Sequence, residues 1–130
     1  MTIANWCVVA ACVLPVLTAG LAKASKARLP RKEGGYDNRQ PREWASHLDG
    51  WQARAMAAQS NGFEALPLFI AAVVLAQQAH ADQGRIDALA LAFIVIRVVY
   101  VATYLMNLGT LRSLVWTAGL LASLAIMAMA

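Results

Sequence analysis

The stretch Arg54–Glu64 carries a cation, an amide and a carboxylate, and an apolar segment follows it immediately. A helix turns about 100° per residue, so Arg54, Asn61 and Glu64, at i, i+7 and i+10, project within roughly 80° of one another. An ionised side chain at the centre of a bilayer costs about 2.5–3.5 kcal/mol on insertion scales. These side chains must therefore face other helices or a wet cavity, and the stretch predicts a polar site inside a helical membrane bundle.

A second set of polar side chains follows further along the chain, on an otherwise apolar run. They stand at i, i+3, i+7 and i+10, again within about 80° on one helix face: Arg97, Tyr100, Tyr104 and Asn107. A single arginine in a crossing often only snorkels to the interface, and tyrosines often form interfacial belts. Two helices that each carry a coherent polar face favour one shared site instead.

The residue types limit the chemistry of such a site. Guanidinium, hydroxyl, amide and carboxylate groups suit an anionic ligand that bears carboxylates, because arginine binds carboxylates bidentately. Arginine or a tyrosine hydroxyl can also stabilise a bound thiolate, which makes a reactive sulfur nucleophile. Cys7 and Cys12 lie in a different segment from His47 and His80, and neither histidine has acidic or thiol neighbours at ligand spacing. We therefore expect no metal site and no Cys/His pair.

The composition is that of a membrane protein with one domain, residues 1–130. The chain is 60% hydrophobic and 14% charged, whereas soluble domains average about 25% charged residues. The formal net charge is +4, but seven of the eleven Lys and Arg residues lie between Lys23 and Arg42. The basic residues are therefore concentrated in one loop of a membrane protein. The expected partner is membrane lipid and not nucleic acid.

The pattern of apolar runs predicts an all-α fold, an integral membrane four-helix bundle. Pro15 and Pro67 should bend the first and second crossings. A short surface helix is expected over Pro41–Leu48, with Gly50 ending it. The predicted crossings are residues 3–22, 51–80, 86–105 and 113–130, and residues 23–43 form the basic loop.

The distribution of basic residues predicts the orientation. Cytoplasmic loops of membrane proteins carry an excess of Lys and Arg, so the loop over residues 23–43 is expected in the cytoplasm and both termini outside. The Arg54 end of the second helix, and the connection that carries Arg112, then fall on the cytoplasmic side.

The two polar faces together resemble those of the MAPEG superfamily, the membrane-associated proteins in eicosanoid and glutathione metabolism. The second helix of that family carries an R-x-x-x-x-x-x-N-x-x-E pattern followed by an aromatic or apolar residue and a proline, which Arg54–Phe69 matches. Its third helix is similar to the Arg97-x-x-Tyr100-x-x-x-Tyr104 pattern of this chain.

Two further features extend the resemblance over nearly the whole chain. Arg112 stands where the family places an arginine at the head of the fourth helix. The block Asp37–Trp44 looks like the bacterial branch in particular, which implies a bacterial inner membrane location.

The resemblance implies a homotrimer of four-helix subunits that binds glutathione between neighbouring subunits on the cytoplasmic side. The implied activity is that of a glutathione transferase or peroxidase acting on a lipophilic electrophile that enters from the bilayer. Arg112 is the implied thiolate-activating residue, with Tyr100 as a second catalytic candidate. The implied glutathione contacts are Arg54, Asn61, Glu64, Arg97, Tyr100 and Tyr104.

Two departures from the family pattern leave alternatives open. Ala57 stands where the eicosanoid enzymes usually carry another arginine, and Trp116 where some members have a tyrosine. One alternative is a non-catalytic membrane protein whose polar faces serve oligomer assembly. A small multidrug transporter fits less well, because such exporters resemble a family with an essential carboxylate in the first helix and Ile3–Ala22 has none.

Overall fold

The computed structural model describes residues 1–130, and the chain is all-helical. Four of its helices are long and apolar enough to cross a membrane. The expected fold class, a four-helix membrane bundle, is therefore confirmed, and the chain is a multi-pass integral membrane protein. The helices are α1 (Ile3–Lys26), α2 (Pro41–Ser46), α3 (Gly50–Gln78), α4 (Gln83–Leu105) and α5 (Gly109–Met127), with a 3₁₀ turn at Arg31–Glu33.

The helices differ from the predicted crossings by up to four residues at either end, and α1 continues to Lys26. Helix α4 begins three residues early because Asp82 caps it, its Oδ1 accepting a hydrogen bond from the Arg85 N–H at 2.8 Å. Helix α5 begins at Gly109, so Arg112 lies in its first turn rather than in the connection before it. Gly50 does not end the short helix, which stops at Ser46. It opens α3 instead, with a φ of +57° that glycine adopts readily.

Small side chains let the long helices approach closely. The buried core contains Ala4, Cys7 and Ala11 of α1 beside alanines of α3 and α4, as is usual where helices pack within a membrane. Phe69 and Phe93 stack at the centre, with ring centroids 3.9 Å apart and planes 10° from parallel. This stacked pair fixes the relative position of α3 and α4.

Both predicted bends fall within helices that continue through the proline, Pro15 in α1 and Pro67 in α3. Pro15 is buried, and its ring packs against Gly62 of α3. A Cβ atom at position 62 would lie only 2.7 Å from the Pro15 Cγ. Gly62 is therefore required where α1 and α3 cross.

A hydrogen-bonded network joins three helices at the end of the bundle that holds both chain termini, here called the termini end. The Asp87 carboxylate accepts from the Ala4 N–H at 2.8 Å and from the Gln83 amide at 2.7 Å. The Gln77 side-chain amide donates to the Thr2 hydroxyl at 3.0 Å and to the side-chain Oε1 of Gln83 at 3.3 Å. Asp87 thus satisfies an N–H group at the start of α1, one of those that no helix can pair internally.

The opposite end, here called the loop end, holds the first loop and the α4–α5 turn. Trp44 of α2 anchors the loop: its indole N–H donates to the Gly34 carbonyl at 3.2 Å, and its ring meets Tyr36 edge-on at 4.9 Å. The same ring packs against Ala22 of α1 and Ala55 of α3. The basic loop is therefore folded onto the bundle.

The α3–α4 and α4–α5 turns share one backbone motif. The Ala81 N–H bonds to the Ala76 carbonyl at 3.1 Å and the Leu108 N–H to the Thr103 carbonyl at 3.0 Å. The residue before each donor, His80 or Asn107, has a left-handed φ. These are Schellman motifs, in which a residue in the left-handed conformation ends the helix.

Candidate functional site

The two predicted polar faces meet at Arg97. This side chain is only 5% exposed, and its Nη2 donates a hydrogen bond to the Asn61 Oδ1 at 3.0 Å. The Asn61 amide group in turn donates to the Glu64 Oε2 at 3.4 Å. Asn61 is therefore held between a cation on α4 and a carboxylate on its own helix, and the three groups form one hydrogen-bonded chain.

A pair of tyrosine rings extends this series of contacts from Arg97 towards α5. The Arg97 guanidinium lies 4.2 Å from the centroid of the Tyr100 ring, and the Tyr104 ring meets Tyr100 edge-on at 5.7 Å. The Arg112 guanidinium then lies 4.2 Å above the Tyr104 ring. Cations are attracted to the negative faces of aromatic rings. The result is one row of six side chains, here called the polar row: Glu64, Asn61, Arg97, Tyr100, Tyr104 and Arg112.

Arg54 lies outside the polar row. Its Nε and Nη2 both donate to the Leu105 carbonyl, at 3.2 and 3.0 Å. Leu105 is the last residue of α4, where carbonyl groups lack partners within the helix and the helix dipole is negative. Arg54 thus caps the C-terminus of α4 from α3, with its third nitrogen not used in this contact.

Asn107 does not share the face of Arg97, contrary to its predicted spacing. The helix ends at Leu105, and Asn107 adopts a φ of +59° in the turn that follows. The predicted crossing already ended at residue 105, so counting Asn107 by helical spacing was wrong; the Schellman motif ends α4 before that position.

The guanidinium groups of the polar row have more N–H donors than there are acceptors in the protein to pair with them. The structure has one ion pair, between Arg31 and Asp37 at 3.7 Å in the first loop. Glu64 is exposed near the middle of α3, with the Asn61 amide as its one hydrogen-bond partner. The row has two guanidinium groups against one carboxylate, so its net charge favours an anionic ligand.

Two sizeable cavities adjoin the polar row, and a third space beside Arg97, on the α1 side, is only about 10 Å³. The first, of about 170 Å³, lies between α3, α4 and α5 and is lined by Asn61, Glu64 and Arg97 together with apolar side chains. The second, of about 380 Å³, is a more open depression lined by Tyr100 and Arg112. Space beside a cation and a tyrosine is what binding an anionic thiol would need.

Of the α5 residues that complete these cavities beside Arg112, the sequence singled out Trp116 alone, and only as a departure from the family pattern. Ser113, Trp116 and Thr117 line the open depression, and Gly119 and Trp116 line the smaller cavity. Trp116 and Gly119 stand four and seven positions after Arg112, and Trp116 and Thr117 stand three and four after Ser113, which gives one helix face. That periodicity is a signal, but α5 is rich in small residues throughout, so it does not stand out.

The two histidines and the two cysteines lie away from this site. His47 contacts the Glu43 carbonyl through its Nδ1 at 2.8 Å, and His80 lies in the α3–α4 turn. Cys7 and Cys12 are both free thiols on α1.

Comparison with known proteins gives one family. A family model described as the MAPEG family matches residues 3–130, which is essentially the whole chain. No curated protein and no solved structure matches the chain.

Proposed function

The chain belongs to the MAPEG family, and on that premise we propose that it binds glutathione and conjugates it to lipophilic electrophiles. The observation that supports this most is the polar row, where Arg97 is buried yet makes one hydrogen bond within the chain. No fully buried side-chain nitrogen in the structure lacks a hydrogen-bond partner, so the other Arg97 N–H groups are not sealed inside the protein. Arg97 lines the cavity of about 170 Å³, and an anionic peptide thiol bound there would pair these donors.

The groups of glutathione fit the donors and acceptors of the polar row. Its carboxylates suit Arg97 and the free Nη1 of Arg54, since guanidinium groups bind carboxylates in a fixed fork. Its amino group suits the Glu64 carboxylate, which has no cation partner in the chain. Asn61, Tyr100 and Tyr104 supply further hydrogen-bonding groups for the peptide.

Arg112 is the proposed thiolate-stabilising residue. Its guanidinium lies over the Tyr104 ring beside the open depression and makes no hydrogen bond to the chain. A cation next to a thiol favours loss of the proton to solvent. The thiolate sulfur then bonds to an electrophilic carbon as a leaving group such as halide departs with the bonding electrons. Tyr100 is a second catalytic candidate, because a hydroxyl can donate to the sulfur.

The same nucleophile could act on a lipid hydroperoxide. In that reaction two glutathione thiols are oxidised to a disulfide, and the hydroperoxide is reduced to an alcohol and water. Both reactions begin with the thiolate, so stabilisation of the thiolate is the step to test first.

The ultraviolet absorbance of the glutathione thiolate tests the proposal directly. Glutathione titrated into the detergent-purified protein at neutral pH should develop a thiolate band that Arg112→Ala abolishes. Arg85→Ala is the matched control, because Arg85 is exposed in the first turn of α4 at the termini end. Binding without a band would give a ligand site that lacks the chemistry, and no binding would refute the proposal.

A homotrimer is part of the proposal, supported by the exposure of Glu64. A carboxylate near the middle of a crossing helix is costly against lipid, so a second copy that covers α3 would bury it. The rival view is that the polar row serves assembly alone. Glu64→Gln would then change the oligomeric state, measured by light scattering in detergent, more than it changes glutathione affinity.

We also propose that the basic loop is cytoplasmic and both termini external, in a bacterial inner membrane. The support is the seven Lys and Arg residues between Lys23 and Arg42, which the positive-inside rule places in the cytoplasm. A single cysteine at Ser25, in a variant without Cys7 and Cys12, should resist membrane-impermeant maleimides in intact cells.

A further inference from the structure

The formal net charge of +4 lies in the first loop. Residues 23–43 carry seven Lys and Arg against three acidic residues, whereas the rest of the chain carries four of each sign. Within the loop the cations come first, since five basic residues precede the first acidic residue, Glu33. Residues 23–32 are here called the basic segment, and its cations are Lys23, Lys26, Arg28, Arg31 and Lys32.

The basic segment lies where α1 leaves the bilayer. Helix α1 has 24 residues and is about 36 Å long at 1.5 Å per residue, whereas the hydrocarbon core of a bilayer is about 30 Å thick. The last turn of α1, which holds Lys23 and Lys26, therefore reaches the layer of lipid headgroups.

The most exposed apolar side of α1 leads directly to Arg28. Leu17 and Leu21 are 61% and 55% exposed. Helical spacing puts residue 28 within about 40° of both, and Ala27 keeps the right-handed helical conformation after the helix ends. An acyl chain that lies against Leu17 and Leu21 would therefore have its headgroup beside Arg28, which is exposed.

Backbone contacts hold the basic segment in place. The Tyr36 N–H donates to the Lys26 carbonyl at 3.3 Å, and the Gly35 N–H donates to the Pro30 carbonyl at 3.0 Å. A Cβ atom at Gly35 would overlap the Leu29 carbonyl, so the returning chain packs directly on this segment. The cations are carried by ordered backbone, and a headgroup that binds them avoids the cost of ordering a loop.

Two of these cations are free of partners in the chain. Arg31 pairs with Asp37 at 3.7 Å, and the Lys23 Nζ lies 5.1 Å from the centroid of an aromatic ring. Arg28 and Lys32 are exposed and make neither kind of contact. They stand among like charges, so an added anion is attracted to them.

We propose that the basic segment binds the phosphate of an anionic phospholipid such as phosphatidylglycerol, with Arg28 and Lys32 as its main contacts and the acyl chains on Leu17 and Leu21. Guanidinium groups bind phosphate bidentately, and basic residues beside a membrane helix attract anionic headgroups. A phosphatidylcholine headgroup fits less well, because it brings a quaternary ammonium group against the cations. The proposal uses no residue of the polar row and does not depend on glutathione binding.

Lipid competition measured by native mass spectrometry tests the headgroup. The detergent-purified protein is mixed with equal amounts of phosphatidylglycerol and phosphatidylcholine that have the same acyl chains, and the first lipid bound per subunit is identified. The wild type should bind phosphatidylglycerol in excess. Arg28→Gln/Lys32→Gln should lower that ratio by about 20-fold, which is roughly fivefold for each cation removed. Equal binding of the two lipids by the wild type would overturn the proposal.

The second half of the loop supplies a control with the same change of charge. Arg39 and Arg42 are also exposed and make no ion pair, but Asp37 and Glu43 flank them in the sequence. Arg39→Gln/Arg42→Gln should therefore change the lipid ratio by no more than about twofold. An equal loss in both double variants would mean that net charge alone attracts the lipid, and the assignment to the basic segment would be wrong.

A charge-conserving variant and soluble anions complete the test. Arg28→Lys/Lys32→Arg keeps both charges and should keep the preference for phosphatidylglycerol, which separates lost charge from a misfolded loop. Inorganic phosphate and glycerol phosphate should leave the lipid bound, because they have no acyl chains to contact Leu17 and Leu21. Displacement by either anion would assign the segment to a soluble ligand and overturn the proposal. None of these measurements involves glutathione or turnover, so failure of the proposed function would leave their result unchanged.

Discussion

At the termini end, Asp87 accepts hydrogen bonds from α1 and α4, and Gln77 donates to both of its neighbours. At the loop end, the Arg112 guanidinium makes no hydrogen bond to the chain, and the Arg97 guanidinium makes one, to Asn61. Both side chains line cavities, where their remaining N–H groups can meet a ligand. The termini end thus resembles a structural network complete within one subunit, and the loop end resembles a site that needs a further molecule. The difference predicts which substitutions change stability and which change activity.

The largest effect is expected at Arg112. Arg112→Ala should lower kcat/KM for conjugation by about 100-fold, the usual cost of removing one group that stabilises a developing anion. The thermal unfolding midpoint should stay close to that of the wild type, since nothing in the chain hydrogen-bonds to this guanidinium. Arg112→Lys should recover part of the rate because it keeps the charge without the planar fork. A large loss of thermal stability in Arg112→Ala would remove the contrast between the two ends.

The reverse outcome is expected at Asp87. Asp87→Ala leaves the Ala4 N–H and the Gln83 amide without an acceptor, and each unsatisfied buried group costs about 1–3 kcal/mol. The unfolding midpoint should fall, while the affinity for glutathione at the opposite end stays the same. Asp87→Asn keeps one acceptor oxygen and should lose less. Loss of glutathione affinity in a folded Asp87→Ala protein would mean that the two ends are coupled.

Arg54 differs from the other arginines at the loop end because its guanidinium is already hydrogen-bonded to the backbone of another helix. Because its guanidinium already caps the Leu105 carbonyl at 3.0 Å, Arg54→Ala should lower stability by about 1.5 kcal/mol, the lower range for a hydrogen bond to a charged group. It should also weaken glutathione binding, since the turn it holds leads into the Arg112 turn of α5. Thermal unfolding and titration calorimetry on one preparation would measure both. An effect on affinity alone would make Arg54 a ligand contact without a capping role.

The sequence predicts the four crossing helices better than it predicts the contacts at the two ends of the bundle. Four long uncharged runs indicate four crossings because only an apolar helix of about twenty residues spans a bilayer. Which residues share a helix face also follows from the sequence, because helical spacing depends on local geometry alone. That the two polar faces meet is the expected consequence, since polar faces in a bilayer must be covered. The pairing of Arg97 with Asn61 joins two helices and is visible only in the structure.

The contacts that distinguish the two ends depend on tertiary arrangement. Arg54 reaches a carbonyl 51 positions away, and Asp87 reaches an N–H 83 positions away; no periodicity reports such distances. Asn107 was misplaced because its position depends on where α4 stops. The end of α4 is set by a residue in the left-handed conformation and two backbone hydrogen bonds. Many polar residues can occupy such a position, so the sequence does not mark it.

The smallest expected effect compares those two helix ends. His80 and Asn107 both adopt a left-handed φ, +56° and +59°, but asparagine tolerates this region better because its side chain can hydrogen-bond locally. Glycine removes the conformational cost, about 1–2 kcal/mol, but loses about 0.5–1 kcal/mol of chain entropy. His80→Gly should therefore raise the free energy of unfolding by about 0.5–1 kcal/mol, and Asn107→Gly should leave it nearly unchanged. Equal shifts in the two melting curves would mean that His80 makes a stabilising contact at the termini end that offsets its strain.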